Sequence, residues 1–220
     1  MYIQTSGIEG EALPLQGTEW PIGNLGQPAR AVNKFDLCSV SQQNAIQAAF
    51  VNAQTSLNNA AAILGTAYGK GSMAPRTRQL LNRHFHTADR RDVGDILRNV
   101  FRIGQAFQKG LDFRCLGYCG PLPKVSGAMC GYANATQWFG GFGKIRVCFD
   151  NRPTTCSFTK LNPQEQAALI IHEAAHRHVG IDDKAYVWEN PTNSSRDYSK
   201  LTSKQAMDNA DSYAWFCVEL

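Results

Sequence analysis

Long apolar runs are missing from this 220-residue chain: nothing approaches the roughly 18 residues that carry a helix across a bilayer, which excludes a helical membrane span. A surplus of one charge is missing too. Lys plus Arg number 22 against 18 Asp plus Glu, and a balance of 22 − 18 = +4 is too mild to imply nucleic acid as a partner. With 43% hydrophobic and only 18% charged residues, the chain is neither disordered nor a coiled coil, and its length suits one ordinary domain with a sizeable core. The first thirty residues have neither the basic start nor the apolar block of a secretory signal, so delivery out of the cell implies a removed signal or another route. No internal repeat is evident. Histidine is scarce, five in all, yet three of them fall between His172 and His178.

Cysteine, in contrast, is plentiful. There are seven, at Cys38, Cys115, Cys119, Cys130, Cys148, Cys156 and Cys217. Cys115 and Cys119 have the look of half a zinc knuckle, but no second Cys/His pair follows at the usual spacing. Disulfides formed in an oxidising compartment are the better reading, and an odd count leaves at least one thiol over. Two sequons, Asn134-Ala135-Thr136 and Asn193-Ser194-Ser195, matter only if the source glycosylates its secreted proteins.

Residues 1–36, punctuated by Pro14, Pro21 and Pro28, read as an extended arm. From Ser41 the apolar residues Ile46, Phe50, Ala53, Leu57 and Leu64 recur at helical steps until Gly65, which predicts one long helix stopping there. A second helical region covers 76–108, with its arginines interleaved with Asp89, Asp92 and Asp95 as a solvated face. Residues 111–156 are rich in glycine and cysteine, and predict strands at Ala128–Thr136 and Lys144–Phe149 around a Gly140–Gly143 turn. Helices return at 163–179 and about 203–217. The expected fold is a mainly helical α+β domain with a small, disulfide-pinned antiparallel β region.

The informative segment is Asn162 to Gly180. Asn162 suits a helix cap, Pro163 the first helical position, Glu165 the reciprocal half of a capping box, and Gly180 a left-handed stop. Within that helix stands His172-Glu173-Ala174-Ala175-His176. Histidines four apart share one helix face, so both imidazoles reach one Zn²⁺, while Glu173, about 100° round the axis, lies beside the metal as a proton acceptor for water. His178 is about 200° from His176 and is expected to be no ligand. An imidazole pair bordering the apolar Leu169-Ile170-Ile171 run would be costly to leave unpartnered. A catalytic zinc needs a third protein ligand and an open position, and the turn at Gly180 can bring back either Asp182 or Asp183. A metzincin pattern does not fit, because Val179 and Asp182 stand where its glycine and last histidine belong. A glutamate on a later helix would be Glu189 or Glu219, neither in a convincing context.

Here the sequence resembles the aspzincins, the family of deuterolysin and the fungal peptidyl-lysine metalloendopeptidases, in which H-E-x-x-H is followed by G-T-x-D-x-x-Y. Gly180-Ile181-Asp182-Asp183-Lys184-Ala185-Tyr186 keeps the glycine, aspartate and tyrosine in register, with Ile181 in place of the threonine. The resemblance implies a zincin-like catalytic domain over 37–220, zinc held by His172, His176 and Asp183, Glu173 as general base, and Tyr186 as the hydroxyl that steadies the oxyanion. Asn209-Ala210-Asp211, followed by Phe216, is similar to the family's late helix, whose two acids hold a substrate lysine. Asp211 matches the first acid and is thereby implied in substrate binding; Ala214 stands at the second. Cys38, Cys115, Cys119 and Cys148 also resemble the family's cysteine framework.

The activity so implied is zinc-dependent hydrolysis of peptide bonds, with a preference for basic residues after the cut; the residue pattern itself offers Ala128–Thr136 as the edge strand on which an extended substrate would pair. The implied partners are a protein or peptide substrate, with room for an inhibitor or immunity protein, and no nucleic acid. The implied location is secreted or otherwise extracytoplasmic. A rival reading is a toxin-like effector or binding module with a structural zinc; another is hydrolysis of a non-protein amide.

Overall fold

The computed structural model describes residues 32–117, 131–132, 143–149, 157–187 and 197–220. The first 31 residues, Cys119, Cys130, Cys156, both sequons, Glu189 and most of the Ala128–Thr136 segment lie outside them.

The long helix predicted from Ser41 is α1, Val40–Lys70. Ser39 caps it in a capping box with Gln42, and Ile46, Phe50, Ala53, Leu57 and Leu64 form its buried stripe. Gly65 does not stop it. A glycine costs a helix only about 1 kcal/mol relative to alanine, which so long a buried stripe outweighs. The chain leaves the helix at Gly71 instead, where φ is 67°.

The helical region expected over 76–108 consists of two helices, α2 (Pro75–Phe85) and α3 (Arg90–Lys109). His86 closes the first in a left-handed conformation, and Asp89 caps the second by accepting from Arg91 N at 2.8 Å. The expected helix at 203–217 also divides, into α5 (Ser203–Met207) and α6 (Ala210–Glu219).

The antiparallel β region is the main correction. The described strands are β1 (Lys34–Asp36), β2 (Asp112–Leu116), β3 (Gly131–Tyr132) and β4 (Ile145–Cys148), in spatial order β1-β2-β4-β3. β1 with β2 and β2 with β4 run parallel, leaving the short β3 antiparallel to β4 at the edge. The physical reason is connection length. Parallel neighbours need a long crossover, and α1, α2 and α3 all intervene between β1 and β2, whereas turn signals report hairpins alone. Lys34–Asp36, read from sequence as the end of the arm, belong to the sheet, and the Cys38–Cys115 disulfide ties that edge to β2. Cys148 is likewise disulfide-bonded, while Cys217 is a free, buried thiol whose pKa burial pushes up to about 12.

The core lies between the helices and one face of the sheet. Phe113, Ile145 and Val147 point into it from the strands, Phe50 stacks on Phe107 at 4.9 Å, and Phe85 meets Tyr213 and Phe216 edge-on at 5.0 and 5.4 Å. Through this core runs α4 (Pro163–Val179), flanked by α1, α3 and α6. Its Ile170 and Ile171 are fully buried, each stabilising by about 1.5–3 kcal/mol. The helix that bears the histidines is therefore among the most firmly held parts of the molecule.

Candidate metal centre

Local signals set both ends of α4. Asn162 Oδ1 accepts from Glu165 N at 2.9 Å, Glu165 Oε2 accepts from Asn162 N at 2.8 Å, and Pro163 takes the first turn. Gly180, at φ 78°, donates to the carbonyls of Ala175 and His176 and turns the chain back on the helix. The next residue therefore lies beside His176, whose Nδ1–H donates to the Ile181 carbonyl at 2.6 Å.

The turn also gives the two aspartates different surroundings. Asp183 Oδ1 lies 3.2 Å from His172 Nε2 and 3.1 Å from His176 Nε2, and the two Nε2 atoms are 2.9 Å apart. Asp182 faces outward. Its carboxylate pairs with Lys184 Nζ at 2.7 Å, and its backbone carbonyl accepts from Ala210 N at 2.9 Å.

The triangle of His172, His176 and Asp183 donors fits a small divalent cation. Zinc bonds of about 2.0–2.1 Å in a tetrahedron separate ligands by about 3.3–3.4 Å, close to the three distances found. Proton bookkeeping supports the fit. A carbonyl only accepts, so His176 carries its proton on Nδ1 and, when neutral, turns a lone pair on Nε2 toward the triangle. Asp211 Oδ1, 2.7 Å from His172 Nδ1, imposes the same tautomer on that ring. Two nitrogen lone pairs and a carboxylate oxygen then converge, an arrangement that only positive charge stabilises.

The electrostatics say the same. Burial opposes charge on His172, but the bonded carboxylates of Asp183 and Asp211 outweigh it and raise its pKa well above the ordinary value. Burial likewise pushes the Asp183 carboxyl up, while His172 and His176 hold it far below the usual carboxylate range.

Glu173 is 3% exposed on the adjoining face of α4, and its charge is felt at both His172 and Tyr186. The Tyr186 ring lies nearly parallel to His172, with centroids 5.9 Å apart. Burial, then the neighbouring Asp183 charge, raise the Tyr186 pKa, so the phenol keeps its proton and can donate it in a hydrogen bond. His178 belongs to other surroundings. Its electrostatic neighbours are Arg177, Lys109 and Asp112, and burial followed by the two cations lowers its pKa to about 4. Glu219 pairs with Arg83 and His84 near the end of α6.

Asp211 lies behind the His172 ring. The resemblance implied a substrate pocket, but the side chain is 1% exposed, with Oδ1 on His172 and Oδ2 accepting from Val187 N at 2.9 Å. Both oxygens are engaged, one of them on the ring nitrogen of His172 that faces away from Asp183. Two further contributors escaped the sequence reading. The Ile181 carbonyl is a backbone atom that no side-chain pattern reports. Asn209 stands in the quoted Asn209-Ala210-Asp211 motif, yet only the folded chain shows that its amide reaches the loop bearing Asp183.

A helix carrying two imidazoles, with a carboxylate returned from just past its end, is a donor set that could hold a metal ion, and the helical frame around it resembles that of a zinc peptidase. The structure is similar to that of a zinc peptidase from Grifola frondosa, with a TM-score of 0.57 and 21% sequence identity, over 83% of this chain and 97% of that one. At that identity the likeness is one of fold. No protein-family profile matches the sequence. No curated protein matches it significantly.

Proposed function

We propose that this chain is a zinc-dependent metalloendopeptidase. The observation that carries the reading is the convergence of His172 Nε2, His176 Nε2 and Asp183 Oδ1 within 2.9–3.2 Å of one another, both imidazoles being held in the ligating tautomer from behind. A zinc ion held by these three side chains supplies Lewis acidity toward water and a peptide carbonyl. The chain's own residues do the rest. Glu173 takes the proton of the attacking water and hands it to the departing amine. Tyr186 donates a hydrogen bond to the oxygen that gains charge as the carbonyl becomes tetrahedral. Asp211 and the Ile181 carbonyl keep the two rings from turning. Work in an oxidising, extracytoplasmic setting is supported by the Cys38–Cys115 disulfide.

The test is a diverse peptide pool incubated with zinc-loaded protein, with and without chelator, and read by mass spectrometry. Cuts should appear with metal and vanish with chelator. Glu173→Gln should bind zinc as the wild type does and lose roughly 10²–10⁴-fold in rate. Cleavage by that variant at the wild-type rate would remove Glu173 from its role. An intact pool in every arm would favour the binding module with a structural zinc. The residue after each cut also reports whether Lys or Arg is preferred there.

A further inference from the structure

Asn209 is fully buried immediately before α6, a place where asparagine ordinarily caps, yet its side chain makes no cap. It reaches sideways instead. Oδ1 accepts from the backbone N–H of Lys184 at 2.8 Å and of Ala185 at 3.1 Å, while Nδ2 donates to Ser212 Oγ at 3.1 Å. One residue on, Ala210 N donates to the Asp182 carbonyl. The peptide groups on both sides of Asp183 are thus pinned by Asn209 and Ala210, and Asp211 completes the set by bonding Val187 N and His172. Behind Asn209 the anchorage continues from Ser212 Oγ to the Tyr198 hydroxyl at 3.4 Å, and from that hydroxyl to Nδ1 of the buried His84 at 2.9 Å.

We infer that Asn209 is a positioning residue for the metal centre. Its amide oxygen clamps the two N–H groups that follow Asp183 and so sets where the third ligand's carboxylate stands relative to His172 and His176. This rests on the metal-centre reading above and adds to it the residue that fixes the loop ligand. A loop ligand needs such a clamp more than a helical one does. His172 and His176 inherit their spacing from α4, whereas Asp183 follows a turn and has no helical ladder of its own. The side-chain chemistry is specific, because one acceptor must serve two donors at once and an apolar side chain of the same size takes that acceptor from both the part-buried Lys184 N–H and the buried Ala185 N–H.

The test pairs Asn209→Leu with Asn209→Asp in the full chain. Asp keeps an acceptor oxygen at the same reach, and the Ser212 hydroxyl can turn to donate to it. Two quantities are measured: zinc affinity by competition with a chromophoric chelator, and amide hydrogen exchange of the metal-free protein over residues 183–187. In Asn209→Leu the Lys184 and Ala185 amides should lose protection while α4 keeps its own, and zinc should bind roughly 10–100-fold more weakly, the usual effect of removing an outer support. Asn209→Asp should keep both properties close to wild type. Should Asn209→Leu fail to fold, Asn209→Ala takes the same two readouts with less steric demand. A folded variant with unchanged exchange at Lys184 and Ala185, or with exchange raised and zinc affinity unchanged, would overturn the assignment. Wild-type protein that takes up no zinc would instead overturn the metal-centre reading itself. The two failures are told apart because exchange is read without metal.

Discussion

Asp182 and Asp183 are adjacent and chemically identical, and their environments separate them completely. Asp183 faces two imidazole nitrogens at 3.1 and 3.2 Å, whereas the Asp182 side chain is 61% exposed and shares the Lys184 ammonium with Asp208. An exposed pair of that kind contributes about 0–1 kcal/mol. Asp182→Ala should therefore leave zinc affinity and stability near wild type. Asp183→Ala removes a donor outright and should weaken zinc by more than the roughly 10–100-fold typical of losing an outer partner. Zinc titration of the two variants checks this, and the reverse order would transfer the ligand to Asp182. Asp211 teaches a related lesson. A motif places this carboxylate in the chain, but its two partners, His172 and Val187, come from a distant helix and loop, and no local pattern shows that their approach encloses it.

At the scale of the element, α4 is the segment most legible in advance, because its determinants are local. Cap, first-turn proline, capping box and histidine spacing all act within a few residues, and each is found where the sequence puts it. Its C-terminal stop can be tested alone. A β-carbon at Gly180 would meet no atom within 4 Å, so the cost of Gly180→Ala is backbone strain and not a clash. Left-handed backbone costs a non-glycine residue about 1–2 kcal/mol, offset by roughly 0.4–1 kcal/mol from the stiffer unfolded chain. Urea unfolding of metal-free protein should show a net loss of about 1 kcal/mol, with Gly180→Asn closer to wild type. A stabilised Gly180→Ala would mean that this turn is not left-handed. The other helix ends were less legible for the same reason. Gly65 looked like a stop and is not one, because burial of the α1 stripe acts over the whole helix. His86, which divides the helical region expected over 76–108, and Asp208, which divides the helix expected at about 203–217, are residues with many competing roles in a sequence.

For the molecule as a whole, the Cys38–Cys115 disulfide joins residues 77 apart, closing a loop that contains α1, α2 and α3. Chain entropy alone assigns such a link about 4.5 kcal/mol, and removing native disulfides typically costs about 2–5 kcal/mol. The double variant Cys38→Ser/Cys115→Ser should lose stability on that scale in urea unfolding, while the histidine spacing on α4, set by helix geometry, stays intact. Stability equal to wild type would show that β1 and β2 are held by strand pairing and packing alone. The sheet these strands form is where the sequence was least informative. Gly140–Gly143 and the flanking apolar residues signal a hairpin, and β3 does pair antiparallel with β4, but the dominant pairings of β1, β2 and β4 are parallel.

By itself the sequence determined α4, with its two imidazoles, its Glu173 and its glycine stop, because helix periodicity and capping are short-range and every participant lies within twenty residues. It also ranked Asp183 among the carboxylates, through a motif that keeps aspartate and tyrosine in register. Only the tertiary structure decided which way each neighbouring aspartate turns, that Asp211 lies hydrogen-bonded behind the His172 ring, and that the Asn209 amide reaches the loop. Those facts depend on contacts between residues dozens of positions apart, and no local pattern encodes where such segments meet once apolar burial has packed α6 against α4.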